Sequence, residues 1–493
     1  MLTPTGPPDA DARKDMKINT PYPGQKKGRI FATLSFIAAS AFATDDGSPK
    51  LTRGTYYQNP LSYSTTRNPD PPKYARKASE HGNDWLLNVN WLDVGLDYRF
   101  RYEYRDDIRR AQSGRDEPWL HRTRAYIGIK EILDPFRFAV ELQDSRRYHS
   151  NYPRDNGDVN ECECIRAYAE LYFKDLLGHD AIGNPRPLSI RYGIHNFEFL
   201  DRRLLGNSPW RNTTNTFLGF HASLGQESTD WQLDVLALQP LSRSQYNVDR
   251  PVEQLWVYGI IGHWRKWSDI VTLEPYYLAL NQSAYAGVAE RFVHSPGLRA
   301  YGIVGSSGFD YDTSFTYQFG RNGSRSVRAF AYVGEVGYTW ASHPWKPRFS
   351  AFYAYASGDR DPNDNKDNRF ERFFGSGHLW SANDYIVYEN ISTPKVRVEF
   401  KPRHNLRIDF GYSWYWLASA KDRFATANNA RDATGNSGGA IGSEFDIRAR
   451  YTLSPKTGIT VGYAYFKDGS FIQNRVRSGD TDFAYFEFSH RFF

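Results

Sequence analysis

Residues 93–105 alternate strictly between apolar and polar side chains, and this alternation constrains the fold more than any other feature of the sequence. The even positions are Val94, Leu96, Tyr98, Phe100, Tyr102 and Tyr104, and the odd positions are Asp93, Gly95, Asp97, Arg99, Arg101, Glu103 and Arg105. Successive side chains of a β-strand point to opposite faces, so a period of two predicts a strand. An aromatic face opposite a densely charged one is typical of a strand with lipid on one side and water on the other.

Similar segments recur along the chain, for example at residues 136–143, 309–319, 396–400 and 445–451. The chain has no apolar run of the length that a membrane-spanning helix needs, which is about 18 residues or more. We therefore predict an all-β fold, a transmembrane antiparallel β-barrel of about 18 strands, with about 16 as the alternative. The alternative stays open because residues 276–304 are ambiguous.

The N-terminal part of the chain predicts export. A basic region precedes an apolar run that ends in an Ala-x-Ala site at Ala41 and Ala43, which is the arrangement of a secretory signal peptide. Residues 1–43 are therefore predicted to be a signal peptide. Because residues 1–15 are polar and contain several prolines, we expect translation to begin at Met16.

The rest of the chain divides into two predicted parts. Residues 44–83 are rich in Pro, Asn, Ser and Thr without periodicity, which predicts a flexible segment that lies in the periplasm or acts as a plug. Residues 84–493 are predicted to form the barrel. Tight turns at residues 401–405 and 454–455 predict its periplasmic end, and long polar segments such as 358–382 predict extracellular loops.

The alternation also predicts which charged side chains face the barrel interior. The predicted basic residues are Arg99, Arg101, Arg105, Arg122, Arg124, Arg137, Arg166, Arg191, Arg397, Arg407, Arg448 and Arg450, and the acidic ones are Asp93, Asp97, Glu103, Glu170, Glu444 and Asp446. Arginine binds carboxylates bidentately and stays charged, so its excess predicts a conduit for anionic solutes. The alternative is that each arginine mainly neutralises an acidic neighbour on the next strand.

No cofactor and no catalytic residue are predicted. The sequence has no H-E-x-x-H segment and no convincing set of serine, histidine and acid. Asp359, Asp361 and Asp364 lie in a polar loop that could hold Ca²⁺, but the loop lacks the bend glycine and the closing glutamate of a calcium loop, so no metal is predicted. The net charge of +6 includes the basic N-terminal region, and it implies no nucleic-acid partner.

Several segments carry a resemblance to a known family. In order along the chain they are Arg122-Thr123-Arg124, Leu142-Gln143-Asp144-Ser145-Arg146, Ala167-Tyr168-Ala169-Glu170-Leu171, Arg191-Tyr192-Gly193, Asp201-Arg202-Arg203-Leu204-Leu205-Gly206, Tyr317-Gln318-Phe319-Gly320, Glu335-Val336-Gly337-Tyr338, Tyr355-Ala356-Ser357-Gly358-Asp359, Trp414-Tyr415-Trp416-Leu417 and Gly442-Ser443-Glu444-Phe445-Asp446. Together they resemble the alginate export family of outer-membrane barrels. The resemblance implies an arginine-rich conduit for an acidic polysaccharide that works with a periplasmic and inner-membrane synthesis complex. One departure is Gly193-Ile194-His195, where the family often has Gly-Arg-Gln.

These inferences predict a porin in the outer membrane of a Gram-negative bacterium, and not an enzyme. Its predicted cargo is anionic, an acidic polysaccharide or saccharide of the alginate export type. A general diffusion porin for small solutes is the alternative, and an outer-membrane enzyme is a further one. The predicted partners are outer-membrane lipid and lipopolysaccharide, a periplasmic export complex and the barrel assembly machinery, whose client signal the last strand resembles with Phe486, Phe488 and Phe492 on one face.

Overall fold

The computed structural model describes residues 70–82, 84–107, 114–196, 198–265, 268–476 and 479–492. The predicted signal peptide, the expected start at Met16 and most of the predicted 44–83 segment lie outside these residues. Within them the chain is almost entirely β-structure.

Antiparallel strands in the described part of the chain form one closed barrel of 18 long strands. They are β1 (Leu92–Asp106), β2 (Trp119–Ile129), β3 (Phe136–Tyr148), β4 (Asn160–Phe173), β5 (Leu188–His195), β6 (Phe217–Gly225), β7 (Trp231–Ser242), β8 (Leu255–Trp264), β9 (Thr272–Gln282), β10 (Arg291–Ile303), β11 (Phe309–Asn322), β12 (Arg325–Thr339), β13 (Arg348–Ala356), β14 (Ile391–Arg403), β15 (Leu406–Trp416), β16 (Ala440–Ser454), β17 (Thr457–Asp468) and β18 (Thr481–Arg491). Each strand pairs with the next, and β18 returns to pair with β1. The predicted fold class and strand number are confirmed, and the ambiguous residues 276–304 contain part of β9 and all of β10.

Short elements complete the fold. Short strands join the barrel sheet at Ala75–Lys77, Arg115–Asp116, Arg250–Pro251 and Lys366–Asp367, and a separate hairpin pairs Arg423–Phe424 with Ala430–Arg431. Helical turns occur at Ala78–His81, Asp84–Leu86, Leu200–Arg202, Gly377–Leu379 and Ile472–Val476. Among the described residues, every helix is too short or too polar to span a lipid bilayer.

The two faces of the strands differ as the alternation predicts. In β3, Phe136, Phe138 and Val140 are exposed, whereas Glu141 and Gln143 are buried. In a closed sheet every strand finds its backbone hydrogen-bond partners within the sheet, and apolar side chains on the outside are compatible with lipid. The charged face therefore lines the interior.

The alternation is interrupted in β4, whose register with β3 shifts at two places. Glu141 of β3 pairs with Arg166, but its neighbour Leu142 pairs with Cys164. The residue between them, Ile165, is fully buried, although a strict period of two would place it on the lipid face. A β-bulge inserts one extra residue into a strand and shifts the phase of the pattern on one side of it.

The connections differ between the two ends of the barrel. The β14–β15 and β16–β17 connections are the tight turns that the sequence predicts, and β1 begins at the same end, which we call the short-turn end. Long loops join the strands at the opposite, long-loop end. Residues 358–382, predicted to form an extracellular loop, lie in the loop between β13 and β14 at the long-loop end, and Phe370 and Trp380 in that segment are buried inside the barrel. Apolar side chains draw the loop inward.

Candidate functional site

The barrel interior is partly filled by two of its own loops. The β5–β6 loop contributes Phe199 and Leu205 to a buried apolar cluster, and the β13–β14 loop contributes Phe370, Trp380 and Tyr385. Buried apolar surface of this kind holds the loops inside the barrel. The candidate conduit is therefore narrowed from within, and it is not the open, water-filled lumen that the strand pattern alone suggests.

Arginines of β1 and β2 anchor the β5–β6 loop. Arg99 donates hydrogen bonds to the carbonyl oxygens of Pro209 and Arg211, both at 3.0 Å, and to Oδ1 of Asn212 at 3.1 Å. Arg101 donates to the Trp210 carbonyl at 2.7 Å. Arg122 adds a bond of 3.3 Å to Pro209, and Arg124 one of 3.0 Å to Thr214. The sequence predicts that these arginines line a conduit for anions, but here they bind backbone and side-chain oxygens of the chain's own β5–β6 loop.

The two inward loops meet at an aromatic stack. The ring centroids of Trp210 and His378 are 4.0 Å apart with 6° between the ring planes. The Arg101 guanidinium lies 4.0 Å from the centroid of the same Trp210 ring, so the indole lies between a guanidinium and an imidazole. An ion pair of 2.8 Å between Arg211 and Asp384 also joins the loops. This contact is the candidate constriction.

A predicted interior carboxylate anchors the second loop. Glu444 of β16 is fully buried, and it accepts hydrogen bonds from Ser381 Oγ at 2.7 Å, from the Ala382 backbone N–H at 2.8 Å and from Asn383 Nδ2 at 2.7 Å. A carboxylate with several donors around it is well satisfied without water. Glu444 therefore positions the β13–β14 loop.

The electrostatic environment of the constriction is basic. Burial, together with nearby Arg448, Arg101, Lys395 and Arg397, holds the pKa of His378 well below its usual range. Each of these charged neighbours opposes protonation of the imidazole, because like charges repel. His378 is therefore neutral at physiological pH, and the positive charge at the constriction belongs to its neighbours.

A cluster of predicted residues lies on β14 to β16 beside the constriction. Arg397 binds Asp409 and Asp446, both at 2.5 Å, and Arg448 binds Asp409 at 3.0 Å. Arg450 also pairs with Asp409. A cavity of about 20 Å³ next to this cluster is bordered by His378. The cluster is thus partly neutralised, as the alternative interpretation of the sequence expects, and it borders the cavity beside His378.

The remaining predicted residues lie along the wall. Their contacts are Arg407 with Glu399 at 2.8 Å, Arg105 with Glu103 at 2.6 Å and with Asp158 at 3.1 Å, Asp93 with Lys130 at 3.1 Å, Arg137 with Asp134 at 2.7 Å, and Arg191 with Glu170 at 2.8 Å. Asp97 lies opposite Arg124 in the β1–β2 register. Arg166 and Arg191 also contact Asp70, which precedes the barrel.

The three aspartates of the candidate calcium loop do not converge. Asp359 binds Arg325 at 3.1 Å, whereas Asp361 and Asp364 accept hydrogen bonds from backbone N–H groups of their own loop. Within the described residues, no group of three or more His, Cys, Asp or Glu side chains has the geometry of a metal site. These carboxylates shape the loop.

Sequence reasoning missed the residues that form the constriction. Trp210 and His378 lie in loops without periodicity, so no local pattern identifies them. Arg299 and Arg348 were missed for another reason: Arg299 falls in the ambiguous stretch, and Arg348 is the first residue of its strand. Both are buried, and they bind Asp312 and Asp310, at 2.9 and 2.6 Å.

Comparisons with known proteins agree with this architecture. A family model described as alginate export matches residues 90–486. Solved Pseudomonas aeruginosa structures share the fold, among them OpdQ, with 14% identity, a TM-score of 0.54, and 81% of this chain and 97% of that chain covered. OccK8 (OprE) has 16% identity, a TM-score of 0.53 and coverage of 81% and 98%. OpdK with vanillate has 12% identity, a TM-score of 0.54 and coverage of 81% and 98%. No curated protein gives a significant match.

Proposed function

Because this chain belongs to the alginate export family, we propose that its barrel conducts anionic solutes, namely an acidic polysaccharide or saccharide, across the outer membrane of a Gram-negative bacterium. The family and the barrel fold make it an outer-membrane channel protein. What we propose beyond this is that the transported solute is an anionic saccharide or polysaccharide.

The basic surroundings of the constriction carry the proposal. Lys395, Arg397 and Arg448 border the small cavity beside His378, so a carboxylate passing the Trp210–His378 contact would meet cations there. Guanidinium groups bind carboxylates strongly, and several sites in a row allow a polymer to move from one to the next without being trapped.

Passage of a polymer requires the inward loops to move. The loops contact each other through the Trp210–His378 stack and the Arg211–Asp384 ion pair. Three backbone hydrogen bonds also join residues 202–206 to residues 374–376, and each loop is anchored to the wall by buried hydrogen bonds. The two loops are therefore fastened to each other as well as to the wall. We propose that the polymer, or a periplasmic export complex at the short-turn end, shifts them.

The test is the ionic current through the refolded chain in a planar bilayer. Anion selectivity, read from the reversal potential in a salt gradient, and block by polyuronate are expected. An uncharged dextran of equal length is the control, and Arg448→Gln should weaken the block by polyuronate only. Cation selectivity, or equal block by both polymers, would contradict an anionic cargo.

A channel for small solutes is the second candidate. The solved structure of OpdK is described with vanillate, a small carboxylate. Current that is blocked by glucuronate but not by polyuronate would favour this candidate.

Family and fold argue for transport and against catalysis. Residues 435–439 formally fit the G-x-S-x-G pattern, but they form turns of the β15–β16 loop, and the Ser437 backbone N–H donates to Asp432 at 2.7 Å. A hydrolase serine needs a strand-to-helix turn with a base beside it, which this segment does not provide.

A further inference from the structure

A carboxylate from outside the barrel wall lies among donors of the interior face. Arg191 Nη1 contacts Asp70 Oδ2 at 2.6 Å, and Tyr168 Oη donates to the same oxygen at 2.8 Å. Arg166 Nη1 contacts the other oxygen, Oδ1. Asp70 precedes β1 in the chain, so the N-terminal segment reaches into the short-turn end of the barrel.

The two guanidinium groups are held independently of Asp70. Arg166 Nε binds Glu141 at 3.0 Å, and Arg191 Nε binds Glu170 at 2.8 Å. Both glutamates are buried. Each arginine therefore keeps its orientation if Asp70 leaves, and its Nη1 still points at the same place. Donors that are already oriented bind a carboxylate at little entropic cost.

The N-terminal segment is attached by a small number of contacts. Ala75–Lys77 pairs with residues 93–95 of β1 at the edge left by the end of β18. Tyr74 Oη donates to Glu141, and Lys77 pairs with Glu131 at the surface. The edge strand and the exposed ion pair contribute little stability, but Tyr74 and Ala78 are buried against the barrel. We therefore expect only residues 70–73, which carry Asp70, to be displaced.

We propose that Arg166, Arg191 and Tyr168 form a carboxylate-binding subsite at the short-turn end, and that Asp70 is a built-in competitor which the carboxylate of an incoming acidic sugar displaces. This inference rests on the proposed function, because that function supplies the acidic sugar. It assigns the first binding site that the sugar meets and a role for the segment before the barrel.

Asp70 must be ionised if it is to compete with the carboxylate of a sugar. Burial raises its pKa, but Arg166, Arg191 and Lys130 outweigh burial and hold the pKa of Asp70 well below its ordinary value. The side chain is therefore ionised throughout the physiological range. Exchange with a uronate replaces one carboxylate by another and leaves the charge of the subsite unchanged.

The test is calorimetric titration of the refolded full chain with glucuronate, with glucose as the uncharged control. Asp70→Asn keeps the shape of the side chain but removes the competing charge, and it should tighten glucuronate binding by about tenfold, because the vacant state of the subsite becomes more populated. Adding Arg191→Gln to Asp70→Asn should abolish this gain. Lys77→Gln is the matched control, since it removes an exposed ion pair that contributes little stability and leaves the contacts of Asp70 unchanged.

Unchanged affinity in Asp70→Asn, or an equal gain in Lys77→Gln, would overturn the subsite. Block of the wild-type current by polyuronate without any gain in Asp70→Asn would leave the proposed function standing and refute this inference alone. Tighter glucuronate binding in Asp70→Asn without polyuronate block would support the subsite and count against a polymer cargo.

Discussion

Arg99 on β1 and Arg397 on β14 both point into the barrel, but they bind different partners. Arg99 donates to backbone carbonyls and an asparagine of the β5–β6 loop, whereas Arg397 joins the carboxylates of Asp409 and Asp446. The first contact holds a loop in the interior, and the second neutralises charge along the wall. Arginines on the same predicted face therefore either hold a loop or pair with carboxylates of the wall, and their partners decide which.

Removing an anchoring arginine should have the largest effect. Arg99→Gln deletes several charge-assisted hydrogen bonds to the β5–β6 loop and should cost roughly 3 kcal/mol of loop anchoring. Hydrogen exchange at residues 210–212 should then be faster by about two orders of magnitude. Unchanged protection of these amides would show that the loop is held by its apolar contacts alone.

Removing the ring between the loops should open the constriction. Trp210→Ala deletes the stack on His378 and the contact with Arg101, a loss of about 2 kcal/mol for a desolvated cation–π pair. Single-channel conductance should rise. Trp264→Ala is the control, because Trp264 is exposed at the end of β8 and its loss should leave the conductance as it is.

Acid should weaken the contact between Trp210 and His378. The pKa of His378 is held below its usual value of 6.5, so the released loop takes up a proton at a higher pH than the closed one. Closure is therefore fully stable above pH 6.5 and weakens as the pH falls below it, by up to about 1.4 kcal/mol per pH unit. Conductance should rise between pH 6.5 and pH 5 in the wild type, and His378→Gln should remove this dependence.

The smallest effect is expected from an arginine that pairs only at the wall. Arg407 is partly exposed and binds Glu399, so Arg407→Gln should change the free energy of unfolding by less than about 1 kcal/mol. Hydrogen exchange of the β5–β6 loop should not change. If Arg407→Gln lowered the protection of the β5–β6 loop amides as much as Arg99→Gln does, the distinction between the two groups of arginines would not hold.

The sequence predicted the strands and their faces but not the interior. Residues 93–105 alternate so strictly that both the fold and the direction of Arg99 follow from them. The bulge at Ile165 was not predictable, because one extra residue leaves no mark on composition. Trp210, His378 and Asp70 could not be found either, since each lies in a segment without periodicity and meets partners far away in the chain.

The sequence by itself determined that this chain forms a barrel with a charged interior, because a bilayer forces every strand to alternate and to satisfy its backbone in the sheet. Only the tertiary structure decided which charges remain beside the passage. The β5–β6 loop binds Arg99, Arg101 and Arg122, and Asp70 before β1 binds Arg166 and Arg191. These contacts join distant parts of the chain, so they depend on where the closed barrel places each residue.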